Sequence, residues 1–282
     1  MLMRLQRRAD FNVQAPDDRA QRIGRAAIAA LYDELALAPK PGLVSFVDSG
    51  SHSDMNATTF MRSLFALRHY FPRIAMLGAT GAPFEALESL GMAAEARMLQ
   101  ATGGINTHRG AVFTLGLICA AAGSRQRLMD RWGEALQARR HRTSAASVAS
   151  NGQHAARALG LRSAGEEAAM GLPIVFDCAV PALAEARRQG FSDQRARLQT
   201  LFHIMVQLDD TNLAHRGGLA GLRFAQSQAR EFLDAGGAAR PDALTHAQRI
   251  HQAFIARRLS PGGAADVLAA AGLIERLGQQ SS

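Results

Sequence analysis

Apolar residues recur every three or four positions along almost the whole chain, which is the spacing of one face of an α-helix. The clearest examples are residues 23–35, 60–71, 198–205 and 222–232. Residues 111–122 are apolar on nearly all sides and predict a central buried helix. Prolines stand between these segments, where they begin or end helices. Only residues 43–47 and 174–176 are plausible strand pieces, and both are short.

The pattern predicts an all-α protein, folded as a single-domain multi-helix bundle whose active site is formed by the loops between helices. No repeat, linker or low-complexity stretch divides the chain. We expect a flexible N-terminus over residues 1–17, one helical domain over residues 18–277 and a tail over residues 278–282.

Composition narrows the class of protein. The 282 residues are 48% hydrophobic and 20% charged, which is ordinary for a globular chain. The two cysteines, Cys119 and Cys178, lie in apolar stretches and are too few for a disulfide framework or a zinc cluster. We expect reduced thiols and a cytoplasmic protein. No apolar run approaches the roughly 20 residues that span a bilayer, so we expect no membrane partner.

The net charge of +8 indicates an anionic partner. Lys40 is the only lysine among the 32 basic residues. The chain has no RNA-binding aromatic motif, zinc finger or basic heptad segment, so we expect no nucleic acid. A phosphate-bearing small molecule and an acidic partner protein explain the charge equally well. The densest group of arginines, residues 125–142, is expected to be an exposed face or loop.

Four groups of polar residues lie in the breaks between predicted helices, where loops can turn side chains toward a ligand. The first group contains Glu34, Lys40, Asp48, Ser49, Ser51, His52 and Asp54. Lys40 could meet a phosphate as a point charge, and Asp48 or Asp54 could hold Mg²⁺ through oxygen. Capping of the next helix by Ser53 or Asp54 is the alternative.

The second group, TGGINTHRG at residues 102–110, directly precedes the buried helix. Its members with candidate roles are Thr102, Gly103, Gly104, Asn106, His108 and Arg109. Glycines before a helix allow close backbone approach, Asn106 or Thr107 can cap the helix, and free amides of a first turn bind anions. The alternative is a simple connection.

The third and fourth groups lie in the second half of the chain. The third contains Asp209, Asp210, Asn212, His215 and Arg216. Adjacent carboxylates at a helix end repel each other, so a divalent metal that bridges a polyphosphate would stabilise them. Exposed acids at a helix end are the alternative. In the fourth group, Ser260 with the proline behind it predicts a helix start, with Asp266 on the inner face.

Together these runs resemble the triphosphoribosyl-dephospho-CoA synthase family. The matching runs are KPGLV (40–44), SHSDM (51–55), TGGINTHRG (102–110), DDTN (209–212), HRGG (215–218) and SPGG (260–263). The resemblance spans residues 34–268. The second helix and the TGGINTHRG loop resemble the malonate decarboxylase branch more than the citrate lyase branch.

The resemblance implies a pentosyltransferase that moves the triphosphoribosyl group of ATP to the ribose 2′-hydroxyl of 3′-dephospho-CoA and releases adenine. The product would pass to a phosphoribosyl-dephospho-CoA transferase that acts on an acyl carrier protein. An α-linked product from a β-linked nucleotide implies one inverting displacement, with a base and an acid on opposite faces of the sugar. We also expect Mg²⁺ and a homodimer.

The site residues follow from matching these motifs. The candidates for catalysis are Asp54, His52, His108, Asp209 and Asp210, and those for metal binding are Asp48, Asp54, Asp209 and Asp210. Substrate contacts are expected at Lys40, Ser49, Ser51, Thr102, Gly103, Gly104, Asn106, Arg109, Asn212, His215 and Arg216. Two other classes stay open: a different Mg²⁺-dependent all-α enzyme acting on a diphosphate, and a non-enzymatic adaptor of a decarboxylase.

Overall fold

The computed structural model of the chain describes residues 17–124, 127–145 and 151–279. The predicted flexible N-terminus, 1–17, and the tail, 278–282, lie largely outside these ranges. Arg125 and Gln126, at the start of the arginine-rich stretch, also lie outside them.

The described residues are helical almost throughout, and they contain no strand. The α-helices are α1 (Asp18–Ala36), α2 (Ala57–Leu67), α3 (Tyr70–Ala79), α4 (Phe84–Ala101), α5 (Arg109–Ser124), α6 (Leu128–Ala145), α7 (Asn151–Leu159), α8 (Ala164–Ala169), α9 (Val180–Arg188), α10 (Asp193–Gln207), α11 (Thr211–Asp234), α12 (Ala243–Ala256) and α13 (Gly262–Gln279). A π-helix covers Ile174–Ala179 and a 3₁₀-helix covers Gly237–Ala239. The predicted all-α bundle is confirmed.

The two stretches considered as strand pieces are not strands. Residues 43–47 form an irregular loop, and residues 174–176 open the π-helix. Short apolar runs do not distinguish a strand from a buried helical segment by periodicity, and here no neighbouring strand is present among the described residues to pair with them.

The core is built around α5, the helix predicted to be central. It packs against α3, and their backbones approach closely at two glycines. A Cβ on Gly78 would lie 2.0 Å from the carbonyl oxygen of Ala120, and one on Gly123 would lie 1.9 Å from that of Ala75. Any larger residue at these positions would push the helices apart. Helices α1 and α13 pack beside this pair and against each other.

The arginine-rich stretch is mostly the helix α6, which is anchored by its buried side chains Trp132 and Leu136. None of the described helices is long and apolar enough to cross a membrane. Helix α11 is interrupted at Gly218, where φ is +61° and ψ is −166°. Only glycine adopts such a conformation without strain, so the HRGG motif marks a change of direction within α11.

Candidate active site

The loop after α1 begins with a buried ion pair. The Lys40 side chain is 1% exposed, and its Nζ donates to the backbone carbonyl of Glu34 at 2.6 Å and to the Glu34 carboxylate at 2.5 Å. Burial lowers the pKa of Lys40, and the attraction of Glu34 opposes this shift. The ammonium is therefore held beneath the loop by Glu34, and its predicted contact with phosphate stays a prediction.

His251, a residue that no motif indicated, fixes the KPG turn from the other side. It lies on α12 and is buried. Its Nδ1 is 2.7 Å from the carbonyl oxygen of Lys40 and 3.1 Å from the backbone nitrogen of Gly42, and its Nε2 is 3.0 Å from Asp48 Oδ2. A histidine on an amphipathic helix carries no spacing signal, so no motif distinguished His251 from the other histidines.

The SHSDM loop is joined to the loop before α13. His52 Nε2 lies 2.8 Å from Ser260 Oγ, and its Nδ1 lies 3.2 Å from Arg216 and 3.5 Å from the Asp54 carboxylate. Burial and the charge of Arg216 lower the pKa of His52, while Asp54 raises it. Three of the predicted groups thus meet at this histidine.

Backbone carbonyls complete the same junction. Ser51 Oγ donates to the carbonyl of Leu259 at 2.5 Å. The Arg216 guanidinium donates to the carbonyls of Ser51 (3.1 Å) and Arg258 (2.9 Å). Since a guanidinium has five N–H donors, these bonds leave some of them for a ligand.

Hydrogen bonds between its own residues stabilise the TGGINTHRG loop. The buried Thr102 hydroxyl lies 2.6 Å from the carbonyl oxygen of Ile105. Gly103 and Gly104 have φ values of +69° and +88°, and no atom lies within 4 Å of where their Cβ would be, so this backbone is open to approach. Asn106 Oδ1 accepts from the Arg109 amide at 3.1 Å, which confirms the predicted cap of α5.

The end of this loop carries polar atoms that have no partner. They are Thr107 Oγ1, His108 Nε2 and Arg109 Nε, each on a described residue and each buried as an atom. Arg109 also forms an ion pair with Glu95. Buried polar atoms in proteins are almost always hydrogen-bonded, so three successive exceptions mark a place where a water, an ion or a ligand would supply the partner.

His108 is 3% exposed, and its Nδ1 lies 2.6 Å from Ser63 Oγ on α2. The Phe60 ring meets the imidazole edge-on at a centroid distance of 4.9 Å. Burial lowers the pKa of His108 to about 3, and the nearby Lys40 charge acts in the same direction. The imidazole is therefore neutral near neutral pH.

The adjacent acids Asp209 and Asp210 point to different places. Asp210 is 2% exposed and caps two helices: it accepts from the Asn212 (2.9 Å) and Leu213 (3.3 Å) amides of α11 and from the Ala264 amide (2.9 Å) of α13. Burial raises its pKa, and the backbone N–H groups oppose the rise.

Asp209 instead accepts from the Arg162 amide at 3.3 Å and borders a cavity of about 230 Å³ that Arg162, Glu167 and Asp177 also line. Among the described residues, no three His, Cys, Asp or Glu side chains are placed to share one metal ion. The predicted gathering of Asp54, Asp209 and Asp210 around one cation is thus not the arrangement found.

Asp266 of α13, which the sequence predicted on the inner face of its helix, lies against the start of α5. A Cβ on Gly110 would be 1.9 Å from its Oδ2, so a larger residue there would displace the carboxylate. Burial and the charges of Glu34 and Asp210 raise the pKa of Asp266 well above its usual range. Lys40, Glu34, His108, Asp210 and Asp266 therefore form one electrostatically coupled group beside the start of α5.

The remaining predicted residues lie at the rim. Asn212 and His215 are exposed on the first turns of α11, and Ser49 is half-buried just before the SHSDM loop. The Asp54 side chain is 58% exposed. The structure thus brings residues of all four groups to one end of the bundle, with Asp209 turned to the neighbouring cavity.

A larger cavity lies away from these motifs. It has a volume of about 900 Å³ and is lined by the first turns of α1, the C-terminal half of α5, the end of α13 and the π-helix. Its lining contains none of the residues selected from sequence. The motif site and this cavity are therefore different places along α5.

Comparison with known proteins gives one consistent result. Residues 20–282 match the family model described as "CitG: ATP:dephospho-CoA triphosphoribosyl transferase". A protein of Pseudomonas fluorescens Pf-5 is 39% identical over 280 residues, covering 95% of each chain, and one of Acinetobacter calcoaceticus is 36% identical over 262 residues, covering 88% of each. A third, from Pseudomonas syringae pv. tomato, is 38% identical over 278 residues, covering 93% of each.

All three relatives carry the name "Probable 2-(5''-triphosphoribosyl)-3'-dephosphocoenzyme-A synthase". No solved structure matches the chain. The family match covers all four motif groups and nearly the whole helical bundle. The chain belongs to the ATP:dephospho-CoA triphosphoribosyl transferase family.

Proposed function

We propose that this protein transfers the triphosphoribosyl group of ATP to the ribose 2′-hydroxyl of 3′-dephospho-CoA, with release of adenine. The observation that carries the proposal is the meeting of the motif loops beside the start of α5, where Thr107, His108 and Arg109 each present a buried polar atom without a partner. The family match supplies the identity of the substrates.

Donors suited to a triphosphate lie around this place. Arg109 and Arg216 carry permanent positive charge, and the Gly103 and Gly104 backbone is open to approach. Charge-assisted hydrogen bonds from such donors are about twice as strong as neutral ones. Lys40 lies beneath the KPG loop, where Glu34 pairs with its charge.

The displacement itself needs a stabilised sugar cation, a base and a way for adenine to leave. Breaking the bond between ribose and base develops positive charge on the ring, which nearby carboxylates stabilise. A carboxyl with a raised pKa suits the base that takes the 2′-hydroxyl proton, and Asp266 has that property. Asp54, whose side chain is 58% exposed, is the second carboxylate that we propose for the site. In one direct displacement the 2′-oxygen forms the new bond to the anomeric carbon as the bond to adenine breaks, which inverts that carbon without a covalent intermediate on the enzyme. The departing adenine takes up one proton, which balances the proton that the 2′-hydroxyl loses.

Two of the four predicted metal ligands are placed so that they would hold Mg²⁺, and the other two have different surroundings. Asp54 is an exposed carboxylate that would hold an ion that the phosphates mainly ligate. Asp48 of the same loop is partly exposed and would be a further ligand, although its oxygens already contact the Gly50 amide and His251. Asp210 has its oxygens occupied by backbone amides, and Asp209 faces the neighbouring cavity. When bound, Mg²⁺ would neutralise charge on the triphosphate. The assignment of Asp209 and Asp210 as ligands or as catalytic acids stays a prediction.

We also propose that the product is the precursor of the prosthetic group of the malonate decarboxylase acyl carrier protein, attached by a phosphoribosyl-dephospho-CoA transferase. The support is the amino-acid sequence of the second helix and of the TGGINTHRG loop, which resembles the malonate decarboxylase branch more than the citrate lyase branch. Loss of the gene should then abolish growth on malonate and spare growth on citrate, and the opposite result would assign the citrate lyase branch.

We further propose that the protein is a homodimer that acts in the cytoplasm. Light scattering, which measures the mass of the particle in solution, tests the homodimer.

Adenine release is the direct test. The purified protein, incubated with ATP, Mg²⁺ and 3′-dephospho-CoA, should release adenine in equal amount to triphosphoribosyl-dephospho-CoA, measured by chromatography. Asp54→Asn and Asp266→Asn should lower the rate at least about a hundredfold, as removal of a catalytic acid or base does. Asp234→Asn, an exposed acid at the end of α11, is the matched control and should match the wild type.

Absence of adenine from the wild-type reaction would overturn the proposal. Pyrophosphate release from an allylic diphosphate would favour the other Mg²⁺-dependent class. Binding to a decarboxylase subunit without any turnover would favour the adaptor.

A further inference from the structure

Ser63 and His108 form an isolated buried pair at the site. Ser63 lies on α2 with no exposed surface, and its Oγ is 2.6 Å from His108 Nδ1. In the described part of the chain the Ser63 side chain makes no other hydrogen bond, and His108 Nε2 makes none at all. The hydrogen atoms of this pair can therefore be placed by counting which groups each arrangement leaves unsatisfied.

Two arrangements of a neutral imidazole are possible. If Nδ1 carries the hydrogen and donates to Ser63, the serine hydroxyl hydrogen has no acceptor and Nε2 is a second unsatisfied atom. If Ser63 donates to Nδ1, the hydroxyl is satisfied and only the Nε2–H group lacks a partner. Each unsatisfied buried polar group costs free energy, so the second arrangement, which leaves one such group and not two, is favoured.

The charge state of His108 follows from its surroundings. The charged groups near it are Lys40 of the KPG loop and Arg109 of its own loop, while Ser63 and Phe60 face it from α2. The acids of the same buried group are Glu34, which pairs with Lys40, and Asp210 and Asp266. Burial and the Lys40 charge both disfavour an imidazolium, and they lower the pKa to about 3. A histidine held neutral cannot deliver a proton as a strong acid, but its N–H remains a good donor.

We propose that Ser63 is a positioning residue that fixes His108 as the neutral Nε2–H tautomer, and that this N–H donates to an acceptor atom of ATP, either a phosphate oxygen or a purine ring nitrogen. The inference rests on the proposed function for the identity of the ligand. The neighbouring unpartnered atoms support it, because Arg109 Nε is also an obligatory donor and Thr107 Oγ1 can be one.

The two acceptors have different consequences. A hydrogen bond to a phosphate oxygen would act on binding and orientation of the triphosphate. A hydrogen bond to a purine nitrogen would act on the leaving group, which gains electron density as its bond to ribose breaks. In both cases His108 serves as a donor without changing its protonation state.

The tautomer can be measured without any substrate. In long-range ¹H–¹⁵N correlation spectra of the ¹⁵N-labelled protein, His108 should show a protonated Nε2 and an unprotonated Nδ1, with no titration between about pH 5.5 and pH 8. In Ser63→Ala the signals should shift toward a mixture of tautomers. A protonated Nδ1, or ordinary titration in this range, would overturn the proposal whether or not the protein releases adenine.

Kinetics test the donation to ATP. Ser63→Ala should lower kcat/KM for ATP about tenfold per folded enzyme, as loss of one well-placed hydrogen bond does. Ser227→Ala, an exposed serine on α11, is the control for removing a helical hydroxyl. His108→Gln, which keeps an N–H donor, should retain more activity than His108→Leu, and the pH dependence of kcat/KM should keep the same shape.

Nucleotide analogues separate the two acceptors. If His108 donates to N7 of the purine, Ser63→Ala should not lower kcat/KM further for 7-deaza-ATP. If it donates to N3, the same should hold for 3-deaza-ATP. An equal loss with ATP and both analogues would assign the acceptor to phosphate. Unchanged kcat/KM in Ser63→Ala, or equal activity of the Gln and Leu variants, would overturn the proposal, while absence of adenine release by the wild type would instead contradict the proposed function.

Discussion

At the scale of single residues, burial decides what each charged group of the site can do. Lys40 lies under the KPG loop with Glu34 as its partner, and His108 lies between α2 and the TGGINTHRG loop. Both carry a lowered pKa, but for Lys40 the ion pair opposes the effect of burial. The lysine is thus a structural charge with influence on the site, and the histidine is a neutral donor.

Removing one partner of the Lys40–Glu34 pair should destabilise the protein strongly. Lys40→Ala leaves the Glu34 carboxylate buried without its partner, and we expect a loss of about 3–5 kcal/mol in the free energy of unfolding, measured with urea. Lys40→Met combined with Glu34→Leu should lose less. Arg188→Ala breaks an exposed pair with Glu185 and should leave the urea midpoint nearly unchanged. Full stability of Lys40→Ala with weak ATP binding would instead place the lysine on the phosphates.

His108 should make stability depend on pH. Its pKa in the folded protein is about 3, below the usual 6.5, so the unfolded chain takes up a proton at this residue first. The contribution is present above pH 6.5 and is lost as the pH falls toward 3. Between pH 6.5 and pH 4.5 the wild type should lose about 2 kcal/mol more than His108→Gln.

Urea unfolding at each pH measures this difference. His154→Gln, which removes an exposed histidine of α7, is the control and should follow the wild type. Parallel curves for the wild type and His108→Gln would contradict the assignment of a neutral buried imidazole.

At the scale of helices, the starts of α5, α11 and α13 come together and leave backbone amides that need acceptors. Asn106 accepts at α5, and Asp210 accepts at both α11 and α13. Asp266 of α13 lies against the first turn of α5. Negative side chains at helix starts are favourable, so acids of the motifs also hold the three helices in place.

Asp210 should therefore affect stability more than its neighbour. Asp210→Ala removes the acceptor of amides at two helix starts, and we expect a loss of about 2–4 kcal/mol in the free energy of unfolding. Asp209→Ala, which keeps both caps, should lose less than about 1 kcal/mol. Urea unfolding followed by circular dichroism gives both values. If Asp210→Ala kept wild-type stability, the double cap would not be its main role.

At the scale of the whole molecule, the site is held by contacts between distant parts of the chain. Arg216 of α11 joins the carbonyls of Ser51 and Arg258, which belong to loops about 200 residues apart. His251 joins the KPG turn to α12 across 211 positions. Such contacts form only after the bundle has packed, and they determine which loop atoms face a ligand.

Arg216→Ala should loosen this junction without unfolding the bundle. We expect faster hydrogen exchange in residues 49–52 and 257–260, a raised KM for ATP and a thermal midpoint close to that of the wild type, because the helical core is untouched. Mass spectrometry of exchanged peptides measures the local effect. Arg223→Ala, on the later part of α11, is the control, and equal exchange in both variants would contradict a role at the junction.

Much of the fold followed from the sequence because helices depend on nearby residues. The 3.6-residue spacing of apolar positions gave the helices, and the all-apolar stretch gave the central α5. The Asn106 cap was readable as well, since its partner lies three positions away. The same local signals placed most polar groups in loops beside helix starts, but Asn212, His215 and Arg216 of the third group lie within the first turns of α11.

The roles of individual site residues were decided only by the tertiary structure. Asp209 and Asp210 are neighbours in sequence, yet one borders a cavity and the other caps two helices. Ser63 and His251 had no motif and became partners of His108 and of the KPG turn. The physical reason is that hydrogen-bond partners and burial depend on which helices pack together, and a pattern of spacing along one chain does not contain that information.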